Sequence, residues 1–194
     1  MIPTLQSHDA LLIVDMQRDF LPGGRLAVRG GDEVIPVLNR YIDLALGSGV
    51  PIYASRDWHP ANHCSFRAQG GPWPEHCVAG APGSAFAPDL RLPPDTYVID
   101  KATRADEDAY SAFGGTRLAE RLRDAGVKRL LVGGLATDYC VLNTTRDALA
   151  AGFEVLLLTD AIRAVNVQPD DGARAQEEME RAGATPVRRD DFAS

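Results

Sequence analysis

Three residues whose types perform covalent chemistry each stand directly after an apolar run: Asp15 after ALLIV, Lys101 after TYVID, and Cys140 in LATDYC, which follows KRLLVGG. An acid at the mouth of a buried strand loses hydration, which raises its pKa and suits it to proton transfer as a general base. A lysine beside both a carboxylate and a thiol holds the acid ionised and favours the thiolate. Cys140 follows Gly133 and Gly134, with Thr137 or Asp138 available as N-cap, so it falls in the first turn of the next helix. Free amides and the helix dipole stabilise a thiolate there, and the same turn can aim backbone N–H groups at a carbonyl oxygen gaining charge. Taken singly, Asp15 also suits a cap or turn, Lys101 a strand end, and Cys140 a small core position. Taken together, the three types support one another as base, cation and nucleophile.

A second group carries metal-ligand types. In Asp57-Trp58-His59, positions i and i+2 of an extended segment share a face, so a carboxylate and an imidazole can meet one ion, with His76 and, as an optional fourth donor, His63 adding nitrogens. The rival reading, a structural zinc site from His63-Cys64 and His76-Cys77, is awkward, because adjacent side chains in extended chain diverge. Phe20 and Trp73 suit loop packing, but a planar ring substrate would give them a second use, and Tyr110 has the same two readings.

The elements that position these residues read as β/α units around a parallel sheet. Short apolar runs at 10–15, 51–56, 96–100, 128–134, 153–160 and 184–188 predict six strands. Helices are expected from about Asp32 to the Gly47 and Gly49 stops, around Leu118 and Leu122 to Gly126, over about 139–151, and over about 170–182. Asp15, Asp57, Lys101 and the turn holding Cys140 all follow strands, and ligands bind open parallel sheets at that edge. The segment 57–95 has no periodicity yet holds both tryptophans, two of three cysteines and three of four histidines, so function is favoured over disorder.

Bulk composition narrows the class. A chain of 194 residues suits one domain, and 45% hydrophobic with 24% charged residues is that of a folded globular protein. The net charge of −7, with 20 basic residues scattered among 27 acidic ones, argues against a nucleic-acid surface. No run approaches the roughly 20 apolar residues that span a bilayer, so no membrane partner is expected. The opening MIPTLQSHD lacks a basic start and an apolar core, which leads to an expectation of a cytoplasmic location. Three cysteines in a reducing compartment are read individually rather than as a disulfide framework.

The motifs ALLIVDMQRDFLPGG, SRDWHPANHCSF, GGPWPEHCVAGAPG, VIDKAT and VGGLATDYCV, in that order, resemble the nicotinamidase branch of the isochorismatase-like cysteine hydrolase superfamily. The resemblance spans nearly the whole chain and implies a Rossmann-like, three-layer α/β/α fold with a six-stranded parallel sheet in order 3-2-1-4-5-6. It implies Asp15, Lys101 and Cys140 as a catalytic triad, and Asp57, His59 and His76 as ligands of one divalent metal, zinc first, with iron and manganese as alternatives. His63 corresponds to a ligand only in some members. Phe20 and Trp73 would sandwich a pyridine ring, with Leu135 and Tyr110 also at the substrate. The Leu135–Ala136 bond would be a non-proline cis peptide, and the Ala136 and Cys140 amides would hold the oxyanion. The implied reaction is hydrolysis of nicotinamide to nicotinate and ammonia through a thioester, as in NAD salvage. A carbon–nitrogen hydrolase acting on carbamoyl or ureido substrates, and a non-catalytic docking domain, are the alternatives. A homo-oligomer is allowed but not dictated.

Overall fold

A computed structural model describes residues 4–192; the first three residues of the opening segment lie outside them. Six strands, β1 (Asp9–Val14), β2 (Ile52–Asp57), β3 (Tyr97–Lys101), β4 (Arg129–Leu135), β5 (Glu154–Arg163) and β6 (Thr185–Val187), form one sheet in the order β3-β2-β1-β4-β5-β6. All its pairings are parallel. β1 is buried along its whole length, which is why it reads as an unbroken apolar run rather than an alternation. Successive side chains of a strand point to opposite faces, so Leu11 and Ile13 join one core while Ala10, Leu12 and Val14 join the other.

The helices α1 (Val34–Gly47), α2 (Leu118–Asp124), α3 (Leu142–Ala150) and α4 (Asp171–Ala182) close these two cores. Val34, Ile35, Leu38, Tyr41, Ile42 and Ala45 recur at helical spacing and bury one face of α1 against Leu11, Ile13 and Leu131. Leu118 and Leu122 of α2, Ala148 of α3 and Met179 of α4 cover the opposite face. The result is the expected three-layer α/β/α arrangement. β1 and β4 are neighbours at the point where the crossovers part to opposite faces, so the crevice opens at their carboxyl ends. No described helix is long and apolar enough to cross a membrane.

Three local expectations are corrected. Asp32 lies inside a short 3-10 turn (Gly31–Glu33), and α1 starts after it. The segment after β4 begins as a π turn (Thr137–Val141) with Ala136 at the N-cap position; the Asp138 carboxylate instead accepts the Val165 and Asn166 N–H groups at 2.9 and 2.8 Å. β5 runs on to Arg163, because a register shift opposite Val132 to Gly134 lets its pairing with β4 resume at Ile162 and Arg163.

Gly134 makes the closest approach in the sheet. Its φ is +126°, and a side chain there would run into the Val14 backbone. Gly134→Ala is therefore expected to lower unfolding stability by about 2–4 kcal/mol, combining backbone strain with forced separation of β1 and β4. Gly23 has φ +87° but open space around it, so Gly23→Ala should cost only about 1 kcal/mol. Urea denaturation of both variants separates the two effects.

Candidate active site

β1 ends at Val14, and Asp15 turns out of the sheet with φ +48°. Its Oδ1 accepts a hydrogen bond from Ser55 Oγ at 2.7 Å. Lys101, last residue of β3, reaches across under the crevice and is buried like Asp15. Its ammonium donates to Asp57 Oδ1 at 2.5 Å, Ala109 O at 3.2 Å and Cys140 Sγ at 3.5 Å. Those three bonds use all three ammonium protons. Asp15 Oδ2 lies 2.9 Å from the same nitrogen but receives no directed hydrogen bond. It therefore feels the positive charge while keeping a lone pair for the Cys140 thiol proton, with a carboxylate oxygen of Asp15 within 4.8 Å of Cys140 Sγ.

The electrostatics follow from burial. Desolvation raises the Asp15 carboxyl, with Lys101 opposing. Burial works against the Lys101 charge as well, but Asp15 and Asp57 outweigh it and hold the ammonium firmly protonated. Asp57 is the opposite case: burial would raise it, yet the Lys101 ammonium holds it well below the usual carboxylate range. Desolvation pushes the Cys140 thiol well above its ordinary value, and the Lys101 charge does not overcome this. Burial thus favours the proton on sulfur, and a carboxylate oxygen of Asp15 lies within 4.8 Å of it.

Asp57, His59 and His76 come together, each offering a ligand atom within 4.8 Å of the others. The Nε2 atoms of His59 and His76 stand 3.5 and 3.9 Å from Asp57 Oδ2. Their other ring nitrogens face carbonyls, His59 Nδ1 toward Ala102 O at 3.2 Å and His76 Nδ1 toward Pro74 O at 2.7 Å. A carbonyl can only accept, so both Nδ1 atoms carry the proton and both Nε2 lone pairs point into the site, the arrangement of imidazoles that bind a metal. Burial holds His76 below the ordinary histidine value and hence neutral. These donors fit a divalent ion. His63 does not join them: its Nε2 is 3.1 Å from Glu107 O and its Nδ1 is 2.7 Å from Ser65 Oγ, so both nitrogens are already engaged. The geometry thus places His63 outside the Asp57, His59 and His76 group. The rival His-Cys zinc site is also not assembled, since neither Cys64 nor Cys77 is in a metal-type cluster among the described residues.

A pocket opens above Cys140, walled by Phe20, Trp73, Tyr110, Leu135 and Tyr139. Phe20 packs against His76 at 5.7 Å between ring centroids, so the ring wall and the ligand set touch. Trp73 Nε1 donates to Tyr110 Oη at 3.0 Å, and Tyr139 meets Trp73 edge-on at 5.2 Å. The Leu135–Ala136 peptide is cis. Sequence reasoning missed Tyr139 and Ser55. Tyr139 adjoins Cys140 in a turn and carried a usable signal; Ser55 sits mid-strand in PIYASR, and only the pairing of β2 with β1 reveals its partner.

The isochorismatase domain model matches residues 9–191. The chain belongs to the isochorismatase family. It is 44% identical to the nicotinamidase of Escherichia coli K12, over 91% of this chain and 92% of that one. The zinc complex of Pyrococcus horikoshii pyrazinamidase superposes with a TM-score of 0.90 at 52% identity, covering 93% of this chain and 99% of the other. The L. infantum protein PnC1 in complex with nicotinate gives 0.88 at 36% identity, covering 100% and 99%. Within this family member, the buried ammonium invites a direct test. Lys101→Met keeps most of the volume but leaves two buried carboxylates without their cation, and is expected to lower urea-unfolding stability by about 3 kcal/mol. The ligand assignment is tested by metal analysis: His63→Gln should retain full metal content, and a loss matching that of His59→Ala would restore His63 to the ligand set.

Proposed function

We propose that this protein is a nicotinamidase, hydrolysing nicotinamide to nicotinate and ammonia through a thioester on Cys140. The observation that carries the reading is the buried Asp15–Lys101–Cys140 cluster, whose Cys140 lines an aromatic-walled pocket that Asp57, His59 and His76 also line. A pyridine ring between Phe20 and Trp73 would lay its carboxamide over Cys140, and the substrates and products printed for the family's nearby members are pyridine or pyrazine carboxamides and nicotinate.

The chain's own groups then divide the work. Asp15 takes the thiol proton as Cys140 Sγ bonds to the amide carbon, and the carbonyl π electrons move onto oxygen. The Ala136 and Cys140 N–H groups hold that oxyanion. When the C–N bond breaks, Asp15 returns the proton to the leaving nitrogen, and ammonia departs from the thioester. Asp15 next accepts a proton from water as the water oxygen attacks the same carbon; the C–S bond breaks and Cys140 regains the proton. Lys101 stays protonated throughout and offsets the charge gathering on sulfur, oxygen and carboxylate. A divalent metal held by Asp57, His59 and His76, for which we propose zinc, supplies a Lewis-acid anchor for the pyridine nitrogen. Tyr110 steadies the Trp73 indole through its hydroxyl. A cytoplasmic role in NAD salvage fits this chemistry, with a small molecule as the partner that completes the site.

Cys140→Ala removes the nucleophile and little volume, so ammonia release from nicotinamide should fall by at least ~10⁴-fold while circular dichroism and metal content stay unchanged. Residual turnover near wild type would end the thioester proposal. His59→Ala and His76→Ala should lower metal content and turnover together, read by elemental analysis beside the ammonia assay. Running carbamoyl substrates in parallel separates this reading from its nearest alternative, which predicts ammonia from those compounds in preference to nicotinamide.

A further inference from the structure

The proposed base Asp15 and the proposed metal ligand Asp57 lie at the ends of adjacent parallel strands, and the sheet itself does not join them. The last ladder bond runs from Asp15 N to Ser55 O at 3.1 Å. Continuing the ladder would carry the Asp57 N–H to the Asp15 carbonyl. Asp15, in its left-handed conformation, turns that carbonyl to the Gln17 N–H at 2.8 Å instead. The Asp57 N–H then donates to Gln17 Oε1 at 2.8 Å, and Gln17 Nε2 donates to Asp57 O at 2.8 Å and to Ser84 O at 2.9 Å. A single carboxamide thus stands in for the missing stretch of β1, with its oxygen and both of its protons used.

We infer that Gln17 is a positioning residue that sets the spacing between Asp15 and Asp57, its backbone fixing the turn of one and its side chain the main chain of the other. Gln17 is fully buried and touches neither pocket nor ligand atoms. Its effect passes through Asp57, whose carboxylate contacts Lys101 on one oxygen and faces His59 and His76 with the other. A displacement of the Asp57 backbone moves the ammonium and the ligand set together. The inference rests on the proposed function only in taking Asp57 as a metal ligand and Asp15 as the base.

Two substitutions keep the volume. Gln17→Glu retains an acceptor for the Asp57 N–H but turns carboxylate oxygen toward two carbonyls, and Gln17→Met removes all three side-chain bonds. Zinc affinity of the metal-free protein, measured by competition with a chromophoric chelator, is expected to fall roughly 10- to 100-fold in both variants. With saturating zinc, kcat should drop more than KM rises, since a misplaced base costs rate even when substrate is bound. A residue serving folding alone would lower the melting temperature and leave zinc affinity and kcat of the folded protein unchanged, and that result overturns the inference. Should neither variant fold, the wild-type protein decides. Gln17 is the buried glutamine among the described residues, so in glutamine-labelled protein its carboxamide is the slowly exchanging pair. Those resonances should shift when zinc is added to the metal-free protein, and an unmoved pair refutes the coupling. Wild type that binds zinc and hydrolyses nicotinamide while Gln17→Glu matches it sinks the inference alone; wild type that does neither sinks the function.

Discussion

One buried ammonium governs this molecule. Lys101 sits with no access to water between two carboxylates and a sulfur, and no neutral residue could occupy that place without leaving Asp15 and Asp57 to repel each other in a low-dielectric interior. Without the Cys140 proton the cluster would hold two more negative groups than positive, Asp15, Asp57 and the sulfur against Lys101. Burial makes that state costly, which is why a proton stays on the Asp15–Cys140 pair at rest. In the proposed mechanism the same proton moves from sulfur to the departing nitrogen. Stability and reactivity are therefore set by one charge balance.

The sheet delivers these groups because each is the first residue past the apolar part of its strand, or the last residue within it. β1 and β3 are separated by β2, so a lysine long enough to reach from β3 under Asp57 to Asp15 is the side chain that closes the gap. Cys140 arrives from the other side, on the turn after β4, and Gly134 allows that strand to lie against Val14 closely enough to bring sulfur within reach of the same ammonium.

Strand positions and the members of the buried cluster were legible in the sequence because both depend on residue type. ALLIV and LLVGG are apolar for the length that the sheet buries, whereas YVID, on the edge strand β3, buries only Ile99 and is legible by its β-branched and aromatic types. What separates His76 from His63 is not type. Both are buried imidazoles on the same long segment, and their ring centroids lie 4.9 and 4.1 Å from His59. His76 presents a free lone pair because Pro74 O takes its other nitrogen, whereas Glu107, distant in sequence, occupies His63. Asp138 reads as a cap by type and by position, yet its carboxylate is drawn to two N–H groups after β5 that no local pattern reveals.

Asp57 explains why the two halves of the site form one unit. Its carboxylate gives one oxygen to the ammonium and the other to the imidazole pair, so charge withdrawn at one end is felt at the other. A carboxylate held ionised by Lys101 is a better metal ligand than a protonated acid, because the competing proton has been displaced in advance. Conversely, a cation on the far oxygen weakens the grip of that carboxylate on Lys101 and leaves more of the ammonium's charge for Asp15 and Cys140. The proposed base, nucleophile and ligand set thus share their electrostatics through two side chains of adjacent strands, and a change that moves either β2 or β3 alone disturbs all three.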